Sequence, residues 1–440
     1  MVPLTHVCRR WRESLISTPE NWTLVSSETE DMAAVCLQRA KAAPLEITIR
    51  AVYPGEPGFL FHRILEPYIQ NTRTLAVTFL STVEEFTEMF PNFPRSMPKL
   101  ELLKLAQSNE DDQMEYDDWS IDPFQPFTST LKSLSLDRIP LYPSLLGIRT
   151  LTELSLTYDA SALTLDTFLD FLEGNHSLKC ADLDITFNDP PPSNPQRQIL
   201  NQLQYLTVAS MQPMHARALA TSIPLRRGAH LKISIHSDDI VAMNDIIPNV
   251  FTTHLLSPPA PTFFQLENGW YRTKILLRGP GGELSIRKHL GREDPLSDLH
   301  PLPLINVREF RLVHPNTTKT NIPVFHPPLL PSLEALTIEC NIECEIDVRR
   351  VLSILLSNPT SSPLLKTLAF LNCPLPEELI EELTGFASER KKTLTSAWLY
   401  RVLIVRQDGK FPSAASISKL KRYVRVVDVW MGNELPEVLP

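Results

Sequence analysis

An α/β solenoid, with parallel strands stacked side by side and helices outside them, is the fold class this sequence predicts. Three observations predict it. A short leucine-rich phrase recurs along most of the chain, segments of helical period fall between its copies, and proline rather than glycine punctuates the whole.

The phrase is L-x-x-L-x-L with other apolar residues allowed. It appears as LELLKL (Leu100 to Leu105), LKSLSL (Leu131 to Leu136), LTELSL (Leu151 to Leu156) and LQYLTV (Leu203 to Val208). It returns as VREFRL (Val307 to Leu312), LEALTI (Leu333 to Ile338) and LKTLAF (Leu365 to Phe370). Looser copies are LEITI at 45, TLAVTF at 74, LKCADLDI at 178, HLKISI at 230 and GELSI at 282. In a strand, residues two apart share a face, so the fourth and sixth positions aim together into a core while the first anchors the chain before the strand. One such strand cannot bury its face alone; many stacked in parallel bury a continuous row.

Helical spacing fills the intervals. Leu165, Phe168, Leu169 and Leu172 fall at i, i+3, i+4 and i+7 behind Thr164 as N-cap. Ala216, Leu219, Ala220 and Ile223 repeat that spacing, as do Val348, Val351, Leu352 and Leu355, and Leu379, Leu383 and Phe386 mark a further helix after Pro376. Strand, helix, strand in alternation demands a parallel sheet. In the leucine-rich-repeat consensus an Asn or Cys follows the phrase and bonds backbone at the turn; Asn341 and Cys373 stand at that offset. Ile139, Asp159, Ser108 and Met211 occupy it elsewhere, so an irregular, leucine-rich-repeat-like arc is expected over residues 45–440, with a C-terminal cap. A globular doubly wound α/β sheet shows the same leucine alternation and stays open as the alternative.

The 440 residues hold 39 prolines and 13 glycines, against usual levels of about 5% and 7%. Phosphate-cradling loops need glycine, and this chain has little of it; GPGG (279 to 282) lacks the Lys, Ser or Thr of such a loop and reads as a turn. A net charge of -9 argues against nucleic acid or a membrane surface as the main partner. No run of about 18 apolar residues suggests a membrane span. The six cysteines, at 8, 36, 180, 340, 344 and 373, are scattered as buried thiols of a reducing compartment would be, which implies an intracellular protein, cytoplasmic or nuclear.

At the N-terminus, PLTHVCRRWRESLISTPENWTLV places Leu4, Val7, Cys8, Trp11 and Leu15 on one helical stripe, with Arg9, Arg10, Arg12 and Glu13 outside it. Pro19 ends that helix, and Trp22 and Leu24 follow as a second apolar anchor. Read from the residues alone, this is an amphipathic helix docking on the first repeats. V-C-R-R-W-R followed by T-P-x-x-W also resembles the last part of the F-box of large fungal families, especially those of mushroom-forming fungi. The helical segment after it, and then PLEITI, are similar to the stretch that leads such proteins into their repeats. The resemblance divides the chain into the C-terminal part of an F-box (1–27), a connecting helix (28–44) and the repeats. It implies a substrate-recognition subunit of a cullin-based ubiquitin ligase, with Val7, Cys8, Trp11, Leu15 and Trp22 as F-box core or contacts for a Skp-type adaptor, and the repeats holding a protein client. The opening L-P-x-E-like segment of an F-box is not in this sequence, so either the natural start lies upstream of Met1, the favoured expectation, or adaptor binding has been lost.

Catalytic patterns are not found: there is no G-x-S-x-G and no H-E-x-x-H, and no enzyme, cofactor or metal is expected. Cys340 and Cys344 lack the second ligand pair that structural zinc requires. An acidic stretch, NEDDQMEYDDW, interleaves charge with aromatics. It reads first as a solvated loop and alternatively as a client contact through Glu115, Tyr116, Asp117, Asp118 and Trp119. Lys419, Lys421, Arg422 and Arg425 suggest a capping strand with Tyr423, Arg425 and Val427 on one face and Val424, Val426 and Asp428 on the other. The function expected is therefore a binding adaptor. A repeat scaffold without a ubiquitin link is the rival reading, and an enzyme on a globular sheet the remotest.

Overall fold

The structure, a computed structural model, describes residues 9–28, 30–52, 65–79, 95–107, 130–160, 163–187, 202–209, 212–223, 228–234, 263–268, 272–279, 282–289, 304–314, 330–340, 353, 362–373, 375–393, 401–406 and 412–431. The chain is an α/β solenoid of the leucine-rich-repeat kind, whose parallel strands follow one another as the recurring phrase requires. It divides into two compact units, residues 1–208 and 209–440.

The first unit opens with helix α1 (Arg9–Ser17), a short 3-10 turn (Pro19–Trp22), strand β1 (Leu24–Ser26) and helix α2 (Glu30–Ala40). Strands β2 (Leu45–Val52), β3 (Thr72–Phe79), β4 (Leu102–Gln107), β5 (Ser133–Asp137), β6 (Glu153–Ala160), β7 (Cys180–Phe187) and β8 (Tyr205–Ala209) follow. From β1 to β7 each pairs in parallel with the next. Register puts like positions of the phrase side by side: Leu75, Leu103, Leu134 and Leu154 form one row and Val77, Leu105, Leu136 and Leu156 the next, all buried. The first-position leucines Leu100, Leu131, Leu151 and Leu203 are buried as well. Fully burying each such side chain contributes about 1.5–3 kcal/mol, and the rows are continuous only because the strands stack in register.

Helix α3 (Leu165–Gly174) begins at Thr164, whose hydroxyl accepts from the Thr167 amide, and buries Leu165, Phe168, Leu169 and Leu172. Asn175 closes it. Its side-chain oxygen accepts from the Leu151 amide at 3.1 Å, and its Nδ2 donates to the carbonyls of Ile148 and Phe171, each at 2.9 Å. One fully buried amide thus satisfies both a helix end and the turn leading into β6, groups that would each cost about 1–3 kcal/mol if left unpaired.

The second unit contains helix α4 (Pro213–Ser222), which buries Ala216 and Leu219, then β9 (His230–Ser234), β10 (Phe263–Asn268), β11 (Arg272–Gly279) and β12 (Gly282–His289). Next come β13 (Glu309–His314), β14 (Ala335–Cys340), β15 (Thr367–Leu371), α5 (Glu377–Thr393), β16 (Arg401–Arg406), α6 (Ala414–Leu420) and β17 (Val426–Met431). Strands β13 to β17 are parallel and consecutive.

Between β9 and β13 the order changes. β9 pairs in parallel with β12, β12 is antiparallel to β11, β11 is antiparallel to β10, and β10 is parallel to β13. The sequence phrase at 282 therefore sits in a three-stranded meander rather than in a further parallel turn. The apolar rows continue through it: Leu231, Leu284, Leu277, Phe264 and Phe310 align, as do Ile233, Ile286, Ile275, Leu266 and Leu312. An odd number of inserted strands restores the chain direction, and a period of two is indifferent to that direction, so the core tolerates the reversal. The turn expected at GPGG is placed by the Gly279–Gly282 pair that closes the β11–β12 hairpin.

Cys373 fills the turn position predicted from the repeat consensus: its buried thiol donates to the carbonyls of Ile338 on β14 (3.2 Å) and Leu371 (3.4 Å). Just before it, Asn372 adopts a left-handed conformation (φ 56°), and Arg138, at the same place after LKSLSL, does likewise (φ 59°). Ile139, in the slot that Cys373 occupies, is wholly buried. The C-terminal strip departs from expectation. Lys419 lies on α6, and β17 starts only at Val426, so Tyr423, Val424 and Arg425 precede the strand. In β17, Val427 and Val429 align with the buried Val402 and Ile404, yet Val429 is 40% exposed. The last strand thus leaves part of its core row open. Asn341, Cys344 and the helix expected over Val348, Val351, Leu352 and Leu355 lie outside the described residues, as do the proline-rich loops at 188–195, 257–262 and 315–328.

Candidate interaction site

Two surfaces of the first unit carry the residues of interest. The N-terminal one is organised by Trp22. Its indole is buried, Nε1 donates to the Leu15 carbonyl at 2.8 Å, and the Arg39 guanidinium of α2 lies 4.3 Å from its ring centroid. Trp22 thereby fastens the last turn of α1 to the connecting helix. The helix it fastens buries none of its residues: Trp11 is 59% exposed, Ile16 39%, and Leu15 is half-buried. For the described part of the stripe, docking onto the first repeats is corrected at Trp11, which lies at the surface while Trp22 fastens the C-terminal end of α1. Val7 and Cys8 lie outside the described residues.

The second surface is the outward face of the strands. Because side chains alternate, every residue between two core positions points away from the rows. In register these outward positions read Thr74, Leu102, Ser133, Glu153, Cys180; then Ala76, Lys104, Ser135, Ser155, Asp182; then Ala106, Asp137, Thr157, Asp184. The centre is small side chains, all partly open to solvent. Tyr205 at the start of β8 is 50% exposed, and its amide bonds the Lys179 carbonyl just as the Cys180 amide bonds that of Thr152, which brings it alongside Cys180. Burial, and then the nearby Glu153, push the Cys180 thiol above its ordinary range.

Where the chain turns into the strands, charges alternate. Arg73 Nε donates to Glu101 at 2.8 Å and Lys132 to the other oxygen of Glu101 at 2.9 Å, with Glu101 and Lys132 second in their phrases and Arg73 just before TLAVTF. Hydrogen bonds from Lys132 and Arg73 hold the Glu101 carboxyl below its usual range. The second unit repeats the pattern at the same phrase position: Arg308 and Lys366 flank Glu334 at 3.7 and 3.3 Å. Sequence reasoning missed both triads, although Glu101 and Lys132, and Arg308, Glu334 and Lys366, stand second in their copies of the phrase.

Glu115, Tyr116, Asp117, Asp118 and Trp119 lie outside the described residues. Cys340 ends β14, and Cys36, Cys180 and Cys373 are free thiols. Among the described residues no group of three or more His, Cys, Asp or Glu is arranged to hold a metal, and no helix is long and apolar enough to cross a membrane. No family model matches the chain, and no curated protein matches it.

Proposed function

We propose that this chain is a non-enzymatic, intracellular protein-interaction module that serves as the substrate-recognition subunit of a cullin-RING (SCF-type) ubiquitin ligase. The observation that carries the reading is Trp11: a tryptophan 59% exposed on a helix that Trp22 fastens from its far end. An exposed, positioned aromatic is what a protein contact uses as an anchor. It falls in the V-C-R-R-W-R segment that resembles an F-box, where the contact implied is a Skp-type adaptor. The repeats supply the other half of the reading, since a ladder of strands with a partly open outward face offers an extended surface to a client.

The rival is a scaffold in which the N-terminal helix merely caps the ladder; against it, Trp11 of the apolar stripe is 59% exposed and Leu15 only half-buried. Capture by a purified Skp-type adaptor tests the proposal. Binding is expected and should weaken at least about tenfold in Trp11→Ala. Failure to bind would remove the ligase role and leave the scaffold.

A further inference from the structure

We propose that Thr18 is a phosphorylation site for a proline-directed protein kinase, and that the phosphate releases helix α1 from Trp22. The chain holds three Ser/Thr-Pro pairs, at Thr18, Ser257 and Ser362. Ser362 is buried and Ser257 lies outside the described residues, whereas Thr18 is partly open to solvent. Pro19 keeps Thr18 in extended backbone (φ -99°, ψ 101°) between α1 and the turn Pro19–Trp22. The residues ahead of it are given up easily to an enzyme. α1 is nine residues long and none of them is buried, and a helix of that length is marginal in water by itself.

The hydroxyl of Thr18 already has a task that a phosphate would reverse. Thr18 Oγ1 donates to the Ser14 carbonyl at 2.8 Å, and Ser17 Oγ donates to the same carbonyl at 3.1 Å. The next carbonyl, that of Leu15, accepts from Trp22 Nε1 at 2.8 Å. Thr18 therefore sits at the carbonyl end of α1, beside the bond by which Trp22 holds the helix. In the modification the γ-phosphoryl group of ATP passes to Thr18 Oγ1. The new P–O bond forms as the bond to the β-phosphate oxygen breaks, ADP leaves, and the hydroxyl proton goes to the base of the kinase. The product carries a charge of about -1.5 to -2 at neutral pH and has lost the donor. Its oxygens meet the negative end of the α1 dipole, and Glu20 adds a like charge two residues on. Attraction at the last turn becomes repulsion, the hold of Trp22 on Leu15 is lost, and Trp11 leaves with the helix. That this switches off adaptor capture rests on the reading of Trp11 as the adaptor anchor.

The test incubates the full chain with a purified proline-directed kinase and Mg-ATP, beside a free peptide of residues 12–24 as control. Fragmentation mass spectrometry should place a phosphate on Thr18 in the chain and in Thr18→Ser, but not in Thr18→Val. Tryptic cleavage after Arg9, Arg10 and Arg12 should then be at least about fivefold faster in the phosphorylated chain. Unphosphorylated Thr18→Val loses only the hydrogen bond and should quicken cleavage by less than about twofold, which separates the charge from the missing bond. A labelled peptide beside an unlabelled Thr18 in the chain, or a phosphate at Thr18 with cleavage unchanged, would overturn the proposal. Adaptor capture should fall about tenfold on phosphorylation, and equal capture by both forms would overturn the switch. If the unmodified chain captures no adaptor, the ligase reading fails alone, and faster cleavage still establishes the release of α1.

Discussion

The two units are built on one phrase but use its outward face differently. In the first, outward positions such as Leu102, Ser135 and Thr157 remain partly open. In the second, Arg311, Thr337 and Glu339 stay partly open too, but Leu276, Ser285, Thr367, Ala369 and Leu371, at equivalent outward positions, are buried, so β15 is covered on both faces. Their polar anchors differ too. Asn175 ties a helix end to the turn before β6, whereas in the second unit the buried Arg390 of α5 donates to the carbonyls of Ser362, Pro363 and Leu365, the turn before β15. Burial pushes the Arg390 guanidinium below its ordinary range, yet three carbonyls around it supply the acceptors it has lost in water. Phrase repetition therefore fixes the apolar rows and leaves each unit free to solve its turns and its outward face separately.

Removing the anchors should have the largest effect. Arg390→Ala strips three buried carbonyls of their donor and opens a cavity, and should destabilise the second unit by about 3–5 kcal/mol. Asn175→Ala should cost the first unit about 2–3 kcal/mol, since it frees as many groups as Arg390→Ala but removes a smaller, uncharged side chain. Chemical denaturation with a probe in each unit reads both; equal and small losses would abolish the distinction between the anchors.

The outward leucines sharpen the contrast further. Leu371→Ala should cost about 2–4 kcal/mol because the side chain is enclosed, while Leu102→Ala, half open to solvent, should cost less than about 1 kcal/mol. Similar values for the two would mean that the outward faces do not differ.

The smallest effect is on the acid limb of stability, where the units carry opposite signs. Glu101 has a lowered folded pKa, so its contribution is present above the unfolded value of about 4.3 and is lost as pH falls through the folded one. Glu309, exposed overall but partly desolvated and beside Glu334, has a raised folded pKa. It opposes folding at neutral pH, and that opposition is relieved as pH falls through its folded value toward the unfolded one. Glu101→Gln should therefore flatten the loss of stability between about pH 5 and 3, and Glu309→Gln should raise stability slightly at pH 7. Slopes of the same sign in both variants would contradict these environments.

Much of this could be read from the chain. The phrase located β2 to β9 and β12 to β15, its fourth and sixth positions named the core rows, Thr164 marked the start of α3, and Cys373 marked a turn. β1, β10, β11 and β16 escaped because LVS, FFQLEN, RTKILLRG and RVLIVR carry no copy of the phrase, and pairing direction leaves no trace in a period of two. The N-terminal stripe misled because helical spacing shows which residues share a face, not whether anything covers it; Trp11 shares the stripe and remains exposed. The aspartates of β7 were visible as the D-x-D of LKCADLDI, but only register against Ser155 and Thr157 placed them on the outward rows.

Alternation and repetition alone determined that apolar rows must form and that strands must stack to form them, because a one-sided strand is unstable in water by itself. Tertiary structure decided the antiparallel detour between β9 and β13, the anchors at Asn175 and Arg390, and which outward faces stay open. Those depend on which strand lies beside which, and on what reaches a buried carbonyl from far along the chain, relations that local spacing does not encode.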